Sequence, residues 1–501
     1  MLPLPCESTL ENYFSAYRNN IIGNQQYFES PFGKKRLIYA DWTASGRAYA
    51  PIEKCIRQQV LPFVGNTHTN TTITGSLMTA AYEQAKTIIK SHVNAGKADV
   101  LLFCGSGMTS AVCKLQRILG LRIPERAADY VHLSPCNEAV KPVVFVTHME
   151  HHSNHLSWLE TIARVEIIGC DESGHIDMQQ LHALLEQFKH HPVKIAAVTA
   201  CSNVTGIPTP YHHIATLMHR YGGLCFADFA CSAPYCPINM HPEEPGAHLD
   251  AIYFSTHKFL GGPGTPGVLV FNKQLYRNAI PDQPGGGTVN YSNPWQEHEY
   301  IADIEQREDG GTPPFLQGIK AAMCIRLKEE MGINNLLQRE AELLSIIFSR
   351  LAAIKQVQVL EPENTQRLGV VAFIVTGIHY NLIVRLLNDR FGIQLRGGCS
   401  CAGTYGHMLL KVSRSLSHAI LDAIRSGDLF CKPGWVRLSV HPVMTNEEVN
   451  FIMDAIETTV SNIKEWEKDY YYDRHSNEFR FKHPATAAPQ QVTHWFDAGG
   501  W

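Results

Sequence analysis

The feature of this chain that most restricts its fold is a series of short apolar runs between Val143 and Phe271. They are VVFVT (143–147), VEIIGC (165–170), KIAAVTA (194–200), GGLCFAD (222–228), AIYFS (251–255) and GVLVF (267–271). Each has the length of a strand and reads as buried on both faces. Between them, LHALLEQFK (181–189) and YHHIATLMHRYG (211–222) place apolar residues three and four apart, as helices do. Strands of this kind alternating with helices form a mostly parallel sheet covered by helices, an α/β architecture. A longer helix is predicted over about Leu77–Asn94, with Ser76 as its N-cap and Ala81, Ala85, Ile88 and Ile89 on one stripe. It leads into DVLLFCGSGMTSAV, which reads as a strand, a glycine turn and a helix start.

Past Asp303 the texture changes. GGTPPFLQGIKAAMCIRL opens a helix, VVAFIVTG reads as a strand, and NLIVRLLNDRFGI and NEEVNFIMDAIETTVSNI read as helices. The expected organisation is therefore an N-terminal segment (1–36), a large domain (37–302), a smaller α+β domain (303–466) and a tail (467–501). The tail has no sustained periodicity, and its aromatics suit a place on a surface. With 501 residues and 45% hydrophobic content, the chain can bury more than one core. A net charge of −4 without runs of Lys or Arg speaks against a nucleic-acid partner. The start MLPLPCESTLENYF lacks the pattern of a leader, and no stretch approaches 18 uninterrupted apolar residues, so a cytoplasmic protein with no membrane partner is expected. The 14 cysteines are dispersed, and Cys104, Cys170, Cys201 and Cys225 read as small hydrophobes in or beside apolar runs.

Ligands of open parallel sheets bind at the carboxyl ends of strands, and those ends carry chemistry here. AIYFSTHK ends in Lys258, GGLCFAD in Asp228, VTACSN in Asn203, and VTHMEHHSN supplies Glu150, His151 and His152. CGSGMTS is a glycine turn into a helix whose free N–H groups suit a phosphate. An ordinary surface lysine is the commoner reading of any one Lys, but an acid left alone at a buried strand end needs a cationic partner. An amine, an acid, an amide, an imidazole and an anion cradle are together what pyridoxal phosphate requires.

The order of these motifs resembles the class V aminotransferase family of fold-type I pyridoxal-phosphate enzymes, in particular its cysteine desulfurase and selenocysteine lyase branch. The likeness runs from about Leu37 to about Ile463. It implies a large α/β domain with a smaller C-terminal domain, and pyridoxal 5′-phosphate as cofactor. By the resemblance, Lys258 in STHK is the lysine that carries the cofactor, with Ser255 and His257 on its phosphate. Asp228 pairs the ring nitrogen, Asn203 lies beside the phenolic oxygen, and His151 stacks on the ring and joins the catalysis. SGMTS assigns Met108 and Thr109 to the phosphate. PGGGTV resembles the segment that reaches the neighbouring subunit's phosphate, which implies a homodimer and gives Thr288 that role. Arg437 in GWVRLSVHP falls where the family holds the substrate carboxylate. RGGCSC places Arg396 and Cys401 on the arginine and the nucleophilic cysteine of the family's short-loop desulfurases.

Cys399 and Cys401 invite rival readings. A metal clip needs two further ligands that the neighbourhood does not supply, so no metal ligands are assigned. A lasting disulfide is disfavoured in a reducing compartment, and buried filler is a common fate of a free thiol. The reading chosen is a desulfurase-like enzyme: L-cysteine or selenocysteine gives L-alanine, and Cys401, on a flexible turn, takes the sulfur for a possible acceptor protein. The alternative is a class V aminotransferase, epimerase or other lyase in which Cys401 is dispensable. A scaffold without activity would be expected to lack Lys258, Asp228 or Arg437, and all three are present. The chain departs from the family pattern in three ways: Cys231 replaces a polar residue, Cys399 stands where histidine is usual, and AGTYGH is inserted after Cys401.

Overall fold

In the computed structural model, which describes residues 9–132, 137–483 and 492–496, the apolar runs form one seven-stranded sheet. Its strands are β1 (Asp99–Cys104), β2 (Val143–Thr147), β3 (Arg164–Ile168), β4 (Lys194–Thr199), β5 (Leu224–Asp228), β6 (Ala251–Ser255) and β7 (Gly267–Asn272). They lie in the order β1-β7-β6-β5-β4-β2-β3. The pairs from β6 through β3 are parallel, whereas β7 runs antiparallel to both β6 and β1. Every residue of β1, β2, β4 and β6 is buried, while β3, at the edge, has exposed positions.

Helices α1 (Ile73–His92), α2 (Met108–Ile118), α3 (His152–Leu159), α4 (Met178–Gln187) and α5 (Tyr211–Arg220) accompany this sheet. Helix α1 begins earlier than its sequence pattern suggested. Thr72, with extended backbone, caps it by accepting from Gly75 N at 3.3 Å, and Ser76 lies inside the first turn. Its buried stripe is also displaced, to Met78, Tyr82, Ala85, Lys86 and Ile89. The reason is a buried acid: Asp309 Oδ2 accepts from Tyr82 Oη at 3.0 Å and from Lys86 Nζ at 3.2 Å, so two polar-ended side chains turn inward.

After α6 (Phe315–Met331), which packs on α1, come α7 (Ile333–Ala352), α8 (Tyr380–Phe391), α9 (Gly403–Leu409) and α10 (Asn446–Trp466). They surround a second sheet of β8 (Val357–Val359), β9 (Val370–Val375), β10 (Arg396–Gly398) and β11 (Trp435–Ser439), antiparallel in the order β8-β9-β11-β10. The N-terminal residues fasten onto this half: Ile38 and Tyr39 pair with Ile393 and Gln394, and Asp41 bridges to Ser439.

The tail through residue 483 is more ordered than its lack of periodicity suggested, and residues 484–491 and 497–501 lie outside the described residues. Residues Tyr470–Asp473 and Glu478–Phe481 form a hairpin. Tyr470 is buried and donates to Asp389 Oδ2 at 3.0 Å, while Phe481 meets Phe32 edge-on at 5.3 Å. Among the described residues no helix is long and apolar enough to cross a membrane.

Candidate active site

The carboxyl ends of the parallel strands open on a cleft of about 250 Å³ that also receives the β10 and β11 side of the second sheet. All of the residues to which the resemblance gave a role line it except Thr288, and of the strand-end residues Glu150 and His152 do not. Thr288 is buried in the turn at 285–288, where its Oγ1 donates to Gly285 O at 2.6 Å.

Strand β6 ends at Ser255, and a 3₁₀ turn over Thr256–Lys258 carries Lys258 into the cleft. The turn is clamped from the N-terminal segment. Gly46 N donates to His257 O at 3.0 Å, and a Cβ on Gly46 would lie 1.8 Å from Phe259 O, so only glycine allows this approach. Burial lowers the Lys258 amine below the ordinary lysine value, opposed by Cys231 and Asp228, which favours the neutral, nucleophilic form.

Asp228 is buried at the end of β5 and accepts from Ala230 N at 2.8 Å. Desolvation raises its carboxyl to about 6, against the pull of Ala230 N–H and Lys258. A testable pH dependence follows for the cofactor-free protein. Between the ordinary value of 3.8 and about 6 the native state holds a proton that the unfolded state has released. Stability from this group is therefore full below that window and falls as pH rises through it, by an amount on the order of 3 kcal/mol. Urea titrations from pH 4 to 7 are expected to show wild type losing stability relative to Asp228→Asn; parallel profiles would mean that Asp228 is not a desolvated acid.

His151 caps α3, its Nδ1 accepting from Ser153 N at 3.1 Å, which puts the ring proton on Nε2. Burial, with Lys258, His152, Arg437 and Arg396 nearby, lowers it to about 3, so the ring presents a neutral face at physiological pH. Its neighbour Glu150 turns the other way and ties strand ends together, accepting from Thr147 Oγ1 at 2.7 Å, Thr199 N at 2.8 Å and Asn154 Nδ2 at 2.8 Å. At the start of α2, Met108 N donates to Ser255 Oγ at 2.8 Å and Thr109 Oγ1 lies 2.7 Å from Ser153 Oγ. A Cβ on Gly107 would stand 3.0 Å from Ser255 Oγ and 3.1 Å from His257 Cε1, filling this cradle.

Asp41 is a residue that sequence reasoning missed. Its Oδ1 accepts from Arg437 Nη2 at 2.5 Å and its Oδ2 from Arg396 Nε at 2.9 Å, so one carboxylate orients both arginines. Arg437 Nη1 donates to Asn203 O at 3.1 Å. Arg437 Nε and Asn203 Oδ1 are buried without a partner among the described residues. Unspent polar atoms at a cleft are what a polar ligand would satisfy.

Cys401 is exposed and lines the cleft, whereas Cys399 is half-buried and does not. Ser400 and Cys401 both adopt left-handed backbone, φ 51° and 56°, at a cost of about 1–2 kcal/mol per residue. The turn is pinned rather than flexible, which corrects the sequence expectation. His152 N donates to Cys401 O at 2.7 Å, Asn203 Nδ2 to Ser400 O at 2.8 Å, and Gly403 N to His152 Nε2 at 2.9 Å. The inserted AGTYGH begins α9, with Tyr405 buried and its Oη 3.2 Å from Thr205 Oγ1.

The family model described as Aminotransferase class-V matches residues 38–452. A probable cysteine desulfurase of Staphylococcus epidermidis is 27% identical over 390 residues, covering 76% of this chain and 87% of that protein. One from Staphylococcus aureus is 26% identical over 388 residues, covering 77% and 87%. In fold the chain is similar to the apo structure of a cysteine desulfurase from Thermococcus onnurineus NA1, with a TM-score of 0.70 at 22% identity over 89% of this chain and 98% of that one. The cysteine desulfurase CsdA of Escherichia coli superposes with a TM-score of 0.67 at 20% identity, with coverage of 89% and 98%.

Proposed function

Because this chain belongs to the class-V aminotransferase family of pyridoxal-phosphate enzymes, we propose that it is a cysteine desulfurase-like enzyme, converting L-cysteine or selenocysteine to L-alanine with transfer of the chalcogen to Cys401. The observation that carries this reading is an exposed thiol on a pinned turn in the same 250 Å³ cleft as Lys258, Asp228 and Arg437.

The cleft fits the cofactor: a desolvated amine, a raised carboxyl, a neutral imidazole and the open cradle at Gly107 meet in one space. Lys258 would hold it covalently, Asp228 would pair its ring nitrogen, and His151 would stack on the ring. Asn203 would take the phenolic oxygen, and the start of α2 with Thr109, Ser255 and His257 would take the phosphate. Bound there, pyridoxal phosphate supplies an electron sink for the pair left when the substrate α-proton departs.

The protein's own groups do the rest. Arg437 and Arg396, oriented by Asp41, hold the substrate carboxylate. Lys258 Nζ takes the α-proton. Cys401, as thiolate, attacks the substrate sulfur: a sulfur–sulfur bond forms, the substrate carbon–sulfur bond breaks, and the carbon is protonated to give alanine. The sum is L-cysteine plus enzyme thiol giving L-alanine plus enzyme persulfide. A cytoplasmic homodimer, with Thr288 serving the partner's cofactor phosphate, and hand-off to a sulfur acceptor complete the reading.

The test is a single turnover of the purified holoenzyme with L-cysteine, counting alanine and mapping persulfide to its peptide. One alanine per persulfide, located on Cys401, supports the reading. Turnover of other amino acids without any persulfide would instead identify an aminotransferase, an epimerase or another lyase.

A further inference from the structure

We propose that His219, His248 and Asp250 bind one divalent transition-metal ion of the zinc class, at the end of the sheet remote from the active cleft. His219 lies in the last turn of α5, and Asp250 immediately precedes β6. Five residue-to-residue steps of extended strand, roughly 16 Å, separate Asp250 from Ser255 at the cleft.

The ligand atoms of the three side chains all lie within 4.8 Å of one another. His219 Nε2 is 2.9 Å from Asp250 Oδ2, and His248 Nε2 is 3.8 Å from Asp250 Oδ1. Tetrahedral zinc with bonds of about 2.0–2.2 Å separates its ligands by about 3.3–3.6 Å, so these spacings bracket the required geometry. Two nitrogens and a carboxylate favour zinc or its transition-metal neighbours over magnesium or calcium, which prefer oxygen throughout.

The hydrogen bonds around His219 make the same case. Its Nδ1 lies 2.6 Å from Gly246 O and must donate there. In the neutral ring Nε2 is then a lone pair facing the Asp250 carboxylate, an arrangement that a cation between them resolves. A histidine anchored to a carbonyl through one nitrogen, with the other directed at a metal, is the usual ligand pose. Asp250 is itself oriented by Cys225 N, which donates to Oδ2 at 2.8 Å. His248 makes no hydrogen bond among the described residues and is 43% exposed, so its ring, stacked on His219 at 4.0 Å with 12° between planes, has the room to turn out of the stack that a shared ion requires. The loop that carries it also holds Glu243 and Glu244, both exposed, which favour the approach of a cation. A proton on Nε2 is the rival to a metal, and metal binding separates the two.

The experiment uses the holoenzyme and two variants. His248→Asn removes a ligand that is 43% exposed and makes no hydrogen bond among the described residues, losing only its stack on His219 and its 3.8 Å approach to Asp250, so the fold is expected to survive. His241→Asn alters the neighbouring ring, 6.5 Å from His248, which is bonded to Asp99 and lies outside the ligand set. Zinc is measured by equilibrium dialysis. Because cysteines elsewhere also take zinc, the readout is the difference between proteins, repeated with Co²⁺ for its spectrum. Wild type and His241→Asn are expected to hold one more ion per chain than His248→Asn, with no thiolate charge-transfer band in the difference. Loss of a group that merely orients a ligand weakens metal binding roughly 10–100-fold, so loss of His248 is expected to cost at least as much. Equal binding by all three proteins, loss in both variants, or a thiolate band in the difference would overturn the assignment.

Discussion

Lys258→Ala is expected to eliminate both turnover and the visible absorbance of covalently held cofactor. Among the groups lining the cleft, Lys258 supplies the primary amine, and burial already biases it toward the neutral form. The variant therefore loses the attachment point and the base together. Turnover is expected to fall roughly 10⁴-fold or more, since groups that act as a unit are not replaced by their neighbours. Borohydride treatment should fix cofactor mass on the Lys258 peptide of wild type and leave the variant unmodified. Removing a desolvated amine does not remove a packed apolar group, so a normal melting profile should accompany the loss. A variant that kept the spectrum would place the cofactor on a different lysine.

Cys401→Ser is the second large effect, and it separates sulfur transfer from the rest of the chemistry. The thiolate is the attacking form, and a serine hydroxyl is a far weaker acid and cannot take its place at neutral pH. Alanine formation from L-cysteine is expected to drop roughly 10³-fold or more, with no persulfide on the peptide. The cofactor spectrum and the spectral response to added L-cysteine should be unchanged, because Lys258, Asp228 and Arg437 are untouched. Undiminished alanine formation would show that Cys401 is dispensable and that the sulfur leaves to a different acceptor.

What local pattern could say about this chain depended on distance along it. The strand runs were readable because burial on both faces leaves its mark within five to seven residues, and β2 and β6 coincide with VVFVT and AIYFS. Lys258, Asp228, Asn203 and His151 at the strand ends were readable for the same reason, and they converge in one cleft, whereas Glu150 and His152 do not line it. Asp41 was not, because its meaning rests on Arg396 and Arg437, more than 350 positions away, through contacts at separations of 355 and 396. The stripe of α1 was misplaced because Tyr82 and Lys86 look solvated until Asp309 appears beside them. The rigidity of the Cys401 turn was hidden because its restraints come from Asn203 and His152 in the other half of the chain. The hairpin after α10 was missed since its strands are four residues each and gain their partners from Phe32 and Asp389.

The restraints on that turn also bear on delivery. With the carbonyls of Ser400 and Cys401, on either side of the Cys401 Cα, held by donors from elsewhere, the sulfur has little freedom beyond rotation of its own side chain, a sweep of about 3 Å. A donor with so short a tether cannot travel outward to meet its recipient. On the reading proposed above, the recipient must come to the donor, so it has to be a small thiol or a slender, extended stretch of chain that fits the mouth of the cleft. Choice of recipient then lies in the shape of the doorway, and widening that doorway would broaden the clientele without touching the chemistry inside.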